Sequence, residues 1–371
     1  MRDERIAKIA NQLLDYSLNV QPGEHIMIMV HDEGEPLAVE LVKQLYRKGA
    51  YPQVRFVKPK VQREWLKGLS TEQLDQLVSW EESMWMGIHG YIGIHGETNA
   101  SELSDVPEEK SRLYGEAFQS IFHHVDNHIK GIRINYPTAA LAQKANMSTE
   151  AFEDFYFDVC SFDYRKLEKA CRPLHALMEQ TERVRIVGPG TDLTFSIKGI
   201  GTKIAAGKRN MPDGEVYTAP MRDSIQGTIS YNTPSPYKGT LFENVRLVFR
   251  DGKIVEATAN HPEKLRQILD SDEGARYTGE FAIGVHPHIL HPMGDILFDE
   301  KIAGSFHLTP GRAYEETDNG NRSTIHWDLV SIQRPEYGGG EIWFDDRLIR
   351  KDGLFVHEAL MGLNPGQLGK E

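Results

Sequence analysis

Cysteine is nearly absent: two in 371 residues, Cys160 and Cys171, leave room neither for a disulfide framework nor for a thiolate metal site. Both fall in one predicted helical region without a recognisable spacing, which fits a reducing compartment. An excess of positive charge is also missing, since 42 Lys and Arg face 54 Asp and Glu for a formal charge of −12. That balance argues against nucleic acid or an anionic membrane surface as a partner. No run of about 18 apolar residues occurs, so no membrane span is expected. The opening "MRDERIAKIANQLLDYS" is charged and amphipathic, with no apolar core before a cleavage site. It is therefore not read as a secretion signal, and the cytoplasm is the expected location. Hydrophobic residues at 40% and charged residues at 26% are ordinary for a globular chain of two domains.

What is there alternates at first between helix and strand. Ile6, Ile9, Leu13, Leu14 and Leu18 repeat at helical spacing before "QPG" stops them. "HIMIMV" has the unbroken apolar texture of a buried parallel strand. A helix is predicted from about Pro36 to Arg47 with Gly49 as its stop, then a strand at "QVRFV". Ser70 with Gln73 forms a capping-box signature, and "MWMGIHGYIGIHG" supplies another apolar strand. A long helical stretch runs from roughly 149 to 180. Beyond "RVRIVGPGTDLTFSIKG", β-branched residues, glycines and turn signals dominate, among them Asp251-Gly252 between two strands. The chain is thus read as α/β: an N-terminal α/β domain (1–180) with a mostly parallel sheet, and a β-rich α+β C-terminal domain (181–371).

Several histidine and glycine patterns fail as sites. His124 and His128 are spaced like a zinc-binding HExxH helix, but Val125 stands where the general-base glutamate belongs. "GTKIAAGKR" has the wrong glycine spacing for a phosphate loop, and Arg209 replaces the magnesium-holding hydroxyl residue. "GPGTDL" lacks the third glycine of a dinucleotide fingerprint. His286, His288 and His291 in "HPHILHP" are interleaved with prolines, which predicts an exposed loop.

The second half holds a better set. In "NRSTIHWDLVSI", read as a strand, His326 and Asp328 would project together with Trp327 on the opposite face. They are either a hydrogen-bonded pair or two ligands of one ion. Glu215 sits in "RNMPDGEVYTAP", Glu280 enters a buried strand in "YTGEFAIGV", and His307 lies among small residues in "KIAGSFHLTPGRAY". A glutamate is rarely buried without a partner. Two Glu, two His and one Asp form an oxygen–nitrogen ligand set suited to zinc, manganese or cobalt. With a bridging carboxylate, five such side chains suit two ions about 3.5–4 Å apart.

At these motifs the sequence resembles the M29 metallo-aminopeptidases. The resemblance spans most of the chain and is most specific at "RNMPDGEVYTAP", "TGEFAIG", "LFDEKIAGSFHLTPGRAY" and "NRSTIHWD". It implies a two-metal centre held by Glu215, Glu280, His307, His326 and Asp328. It also implies a catalytic role for Tyr314, seven residues after His307, a homodimer, and peptides with a free N-terminus as substrates. Glu280 is the expected acid/base group, the bridging ligand, or both. One alternative is a ring-cleaving dioxygenase of the dihydroxypyridine type, using a single iron on His307, His326 and Asp328. Glu215 and Glu280 would then have no role. A second alternative is a binding protein with a closed, structural metal site.

Overall fold

The computed structural model describes residues 3–370. Two compact units form, Met1–Phe162 with Gly207–Pro212, and Asp163–Ala206 with Asp213–Glu371. The composition changes near residue 181, whereas the packing boundary falls at Phe162/Asp163. The difference lies in helix Tyr164–Gln180, which packs on strands Lys203–Ala205 and Glu215–Thr218 of the second unit. The predicted stretch 149–180 is therefore two helices, broken at Ser161–Asp163. Asp163 caps the second by accepting from the Arg165 and Lys166 amides at 3.0 and 3.2 Å.

The first unit carries a parallel five-stranded sheet. Its order is Tyr51–Val57, His25–Asp32, Gly90–Gly96, Lys130–Asn135, Asn210–Met211. Ile26, Ile28, Val30, Ile92, Ile94, Ile132 and Ile134 are fully buried. This is why those segments read as unbroken apolar runs. Tyr51–Val57 is an edge strand, and none of its residues is fully buried. "MWM" belongs to the end of the preceding helix rather than to the strand. The capping box forms, with Gln73 Oε1 accepting from the Ser70 amide at 3.3 Å. Among the described residues no helix is long and apolar enough to cross a membrane.

The second unit is built from antiparallel sheets. An eight-stranded sheet runs from Lys253–Thr258 at one edge to Leu354–Phe355 at the other. It includes the predicted hairpin, with Asp251 and Gly252 at φ 50° and 76°. A five-stranded sheet has the order Leu329–Ile332, Ser305–Pro310, Thr278–Gly284, Glu215–Thr218, Lys203–Ala205. Phe281 of this sheet meets Phe195 of the larger one edge to face, at 5.0 Å between centroids. Since Phe281 is fully buried, Phe281→Ala should cost about 3–5 kcal/mol in urea unfolding. A loss below about 1 kcal/mol would contradict packing of the two sheets through this ring.

Candidate metal centre

Paired residues in an antiparallel sheet leave the same face, as do residues two apart on one strand. Ala282 pairs with His307, and Gly284 with Glu215. Glu280 shares their face, so Glu215, Glu280 and His307 stand together beside two small residues. The opposite face is apolar, with Phe281, Ile283, Phe306 and Leu308 buried. A Cβ at Gly284 would come within 2.5 Å of the Ile302 carbonyl and 2.9 Å of the Glu300 carbonyl. Glycine there lets the segment after Glu300 lie against the strand.

His326 and Asp328 approach from the chain just ahead of the edge strand. The stretch predicted as one strand becomes regular only at Leu329, and His326 makes an isolated bridge to Gly311. The alternation nonetheless holds. His326 Nε2 lies 3.2 Å from Asp328 Oδ1. Trp327 is buried on the other side, stacked on Tyr237 at 4.7 Å and donating to Ser235 Oγ at 2.9 Å.

All five predicted residues thus come together. His307 Nε2 is 3.7 Å from Glu215 Oε2 and 3.6 Å from Glu280 Oε1. His326 Nε2 is 3.1 Å from Glu280 Oε2. Ligands about 2.0–2.2 Å from a shared tetrahedral ion lie about 3.3 Å apart, so these separations fit metal ligation. Buried Glu215 Oε2 receives no hydrogen bond within the protein, and His326 Nε2 faces the Glu280 and Asp328 carboxylates, as expected of atoms kept for an ion. His326 Nδ1 faces the Arg312 carbonyl at 3.0 Å, which fixes the proton there and leaves Nε2 its lone pair. Thr309 Oγ1 donates to Asp328 Oδ1 at 2.7 Å. Tyr314, 38% exposed, packs its ring 4.8 Å from that of His326.

The other histidine motifs do not assemble. His124 and His128 have ring centroids 5.5 Å apart and belong to no candidate metal group among the described residues. The prolines of "HPHILHP" do not expose all of that loop: His286 is fully buried, and the His291 ring meets the Tyr337 hydroxyl at 3.1 Å.

Two residues outside the five-ligand set also stand at the centre: Glu300, whose role the sequence left open, and Lys301, which was not anticipated. Glu300 groups with His307 and Asp328, with donor atoms within 4.8 Å of one another. Lys301 is fully buried, its Nζ 2.7 Å from Glu215 Oε1, 2.5 Å from Glu300 Oε1 and 3.5 Å from Asp213 Oδ1. The only signal in the sequence is a lysine opening the small and apolar run "KIAGSF" before a buried strand.

In this dry setting the charges control one another. Burial opposes ionisation of Glu280, but the adjacent imidazoles of His307 and His326 outweigh it and hold the carboxyl below its usual range. Asp328 is likewise held low by His326, against its own burial. Burial pushes Glu215 up to about 8, even with Lys301 and His307 pulling the other way. Burial disfavours the charged form of His307, yet Glu280 and Glu215 raise it to about 9. Burial and the surrounding carboxylates raise the Tyr314 hydroxyl, which stays protonated.

Imidazoles and carboxylates converging without a thiolate in a dry sheet face define a metalloenzyme site for hard or borderline divalent cations. Residues 2–337 match the family described as thermophilic metalloprotease (M29), and the chain belongs to that metallopeptidase family. It is 25% identical to aminopeptidase PepS of Streptococcus thermophilus, over 88% of this chain and 92% of the relative. Against aminopeptidase T of Thermus thermophilus the identity is 27%, over 88% and 91%. The solved structure of wild-type AmpT from Thermus thermophilus shares the fold, with a TM-score of 0.81 at 22% identity. That likeness covers 95% of this chain and 99% of the other. The ring-cleaving dioxygenase alternative receives no support from these relatives.

Removing Lys301 leaves three carboxylates facing each other without their ammonium. Lys301→Met should therefore destabilise the chelator-treated protein by about 3–5 kcal/mol in urea unfolding, and an unchanged midpoint would contradict the burial described. For His307 the folded value of about 9 lies above the usual 6.5. Its contribution to metal-free stability is complete below pH 6.5 and lost as pH rises through about 9. The urea midpoint in chelator should fall across that window, and His307→Gln should flatten the fall. A midpoint that rises from pH 6.5 to 9 in both chains would refute the assignment.

Proposed function

We propose that the chain is an aminopeptidase working with two divalent ions, which Glu215, Glu280, His307, His326 and Asp328 would hold, with Glu280 common to both donor sets. The division of Glu280 carries this reading. Its Oε1 faces His307 and its Oε2 faces His326. Two donor sets, Glu215–Glu280–His307 and Glu280–His326–Asp328, therefore share one carboxylate. Charge supports the same number of ions. Asp213, Glu215 and Glu300 contact Lys301, while Glu280 and Asp328 contact the imidazoles. With neutral histidines, five carboxylates and one ammonium leave four negative charges, which two divalent cations neutralise. Zinc, cobalt or manganese suits these donors.

Divalent cations bound there would supply the Lewis acidity that acidifies a water and polarises a peptide carbonyl. The remaining steps fall to the chain's own groups. Glu280, kept ionised, is the shared ligand or the acid/base group, or each at a different stage: with one oxygen free it would take the proton of the attacking water and return it to the departing amine. Tyr314 keeps its proton and donates a hydrogen bond to the oxygen that becomes negative. Thr309 orients Asp328, the Arg312 carbonyl orients His326, and Lys301 holds Glu215. The acidic surroundings favour a cationic free N-terminus, in line with the relatives named aminopeptidases. The same reading takes peptides as substrates, a second copy of the chain as partner, and the cytoplasm as location, where free, buried Cys160 and Cys171 stay reduced.

Elemental analysis of active protein should give at least two divalent ions per chain, and one ion at full activity overturns the reading. His307→Ala and Asp328→Ala should lose metal and aminoacyl-substrate cleavage together, while Nα-acetylated peptides stay uncut. Tyr314→Phe should keep both ions and lose about 10²-fold in kcat. Unchanged turnover in that variant removes Tyr314 from the mechanism.

A further inference from the structure

A second group of ligand-type side chains lies in the first unit, within the parallel sheet and apart from the residues above. His31 and His95 are register partners on adjacent strands, each near the carboxyl end of its strand. Their rings stack with centroids 4.8 Å apart at 20°. Glu97 reaches back over both: its Oε1 is 3.2 Å from His95 Nδ1 and 3.6 Å from His31 Nδ1. The donor atoms all lie within 4.8 Å of one another.

The position in the fold is a binding position. From strand His25–Asp32 the chain passes to a neighbour on one side, Tyr51–Val57, and then to the other side at Gly90–Gly96. Open α/β sheets bind ligands outside the carboxyl ends of their strands at such a switch point. Gly96 sets Glu97 in place. A Cβ there would meet the His31 carbonyl and the Gly34 amide, each at 2.9 Å. Only glycine allows the loop after His95 to lie against the end of the His31 strand.

A simple imidazole–carboxylate hydrogen bond accounts for one ring only. The 3.6 Å from His31 to Glu97 is beyond hydrogen-bonding distance, and no other hydrogen bond to the His31 ring is found among the described residues. Burial and the neighbouring His95 ring hold His31 below its usual pKa, so it presents the neutral imidazole a metal requires. Separations of 3.2 and 3.6 Å fit the edge of about 3.3 Å between ligands of one zinc-sized ion. Asp32 is turned to Thr98 at 3.4 Å and Lys58 at 3.6 Å instead, which leaves the fourth position to solvent or a small ligand.

We propose that His31, His95 and Glu97 form a second metal site, for a zinc-class divalent cation, at the switch point of the parallel sheet. It is independent of the C-terminal centre and of the peptidase reading. The test is the zinc content of the full chain after equilibrium dialysis with zinc. His31→Ala/His95→Ala should bind one ion fewer per chain than the parent, with peptidase turnover unchanged. Glu97→Gln, close in shape to the parent, should weaken retention of that ion at least about tenfold against a chelator. Should the double variant fail to fold, anomalous scattering at the zinc edge from parent crystals decides the matter. A peak between the two rings and Glu97 supports the site, and an absent peak overturns it. Equal zinc content in folded parent and variants also overturns it.

Discussion

Like charges forced into a dry space are the constraint on which the second unit depends. Asp213, Glu215, Glu280, Glu300 and Asp328 crowd one region, and carboxylates so placed cannot all stay ionised unless cations stand among them. Lys301 is the permanent one, and its complete burial is tolerable only because three carboxylates surround it. The imidazoles are conditional cations: without metal they hold protons, and they must release them for an ion to bind. Glu215 shows the same tension, being pushed up by burial beside an ammonium. A sheet is well suited to hold such a set, since its hydrogen-bonded strands prevent the anions from relaxing apart.

Much of this was legible in the sequence where a local rule decided the outcome. The His-x-Asp pair follows from the two-residue period of extended chain, which survives even where the strand proper starts only at Leu329. Glu280 stood out because a carboxylate in an apolar strand demands a partner. What could not be read was register. Nothing local says that Gly284 lies opposite Glu215, or that His31 lies beside His95, because pairing is settled by the packing of distant segments. Lys301 escaped for another reason: a single lysine beside a glutamate is normally solvated, and only the folded surroundings show that it is not. The break at Ser161–Asp163 was hidden by two helices with similar apolar periodicity.

The two units use different geometries to bring polar groups together. In the parallel sheet every strand points the same way, so side chains meet beyond the strand ends, and loops such as Gly96–Glu97 complete the cluster. In the antiparallel sheet, neighbours meet across the face, and small residues such as Ala282 and Gly284 make the room. In both places a glycine admits backbone where a side chain would block it.

The short segment Gly207–Pro212 belongs to the first unit although it lies far downstream in sequence. Through it, Asn210 and Met211 pair with Arg133 and Ile134. A fragment ending at Phe162 would leave the Lys130–Asn135 strand with a bare row of amides and carbonyls, an open template for aggregation. Neither unit can therefore be excised as one uninterrupted piece of polypeptide, and during synthesis the parallel sheet stays unfinished until the ribosome has passed well into the other half.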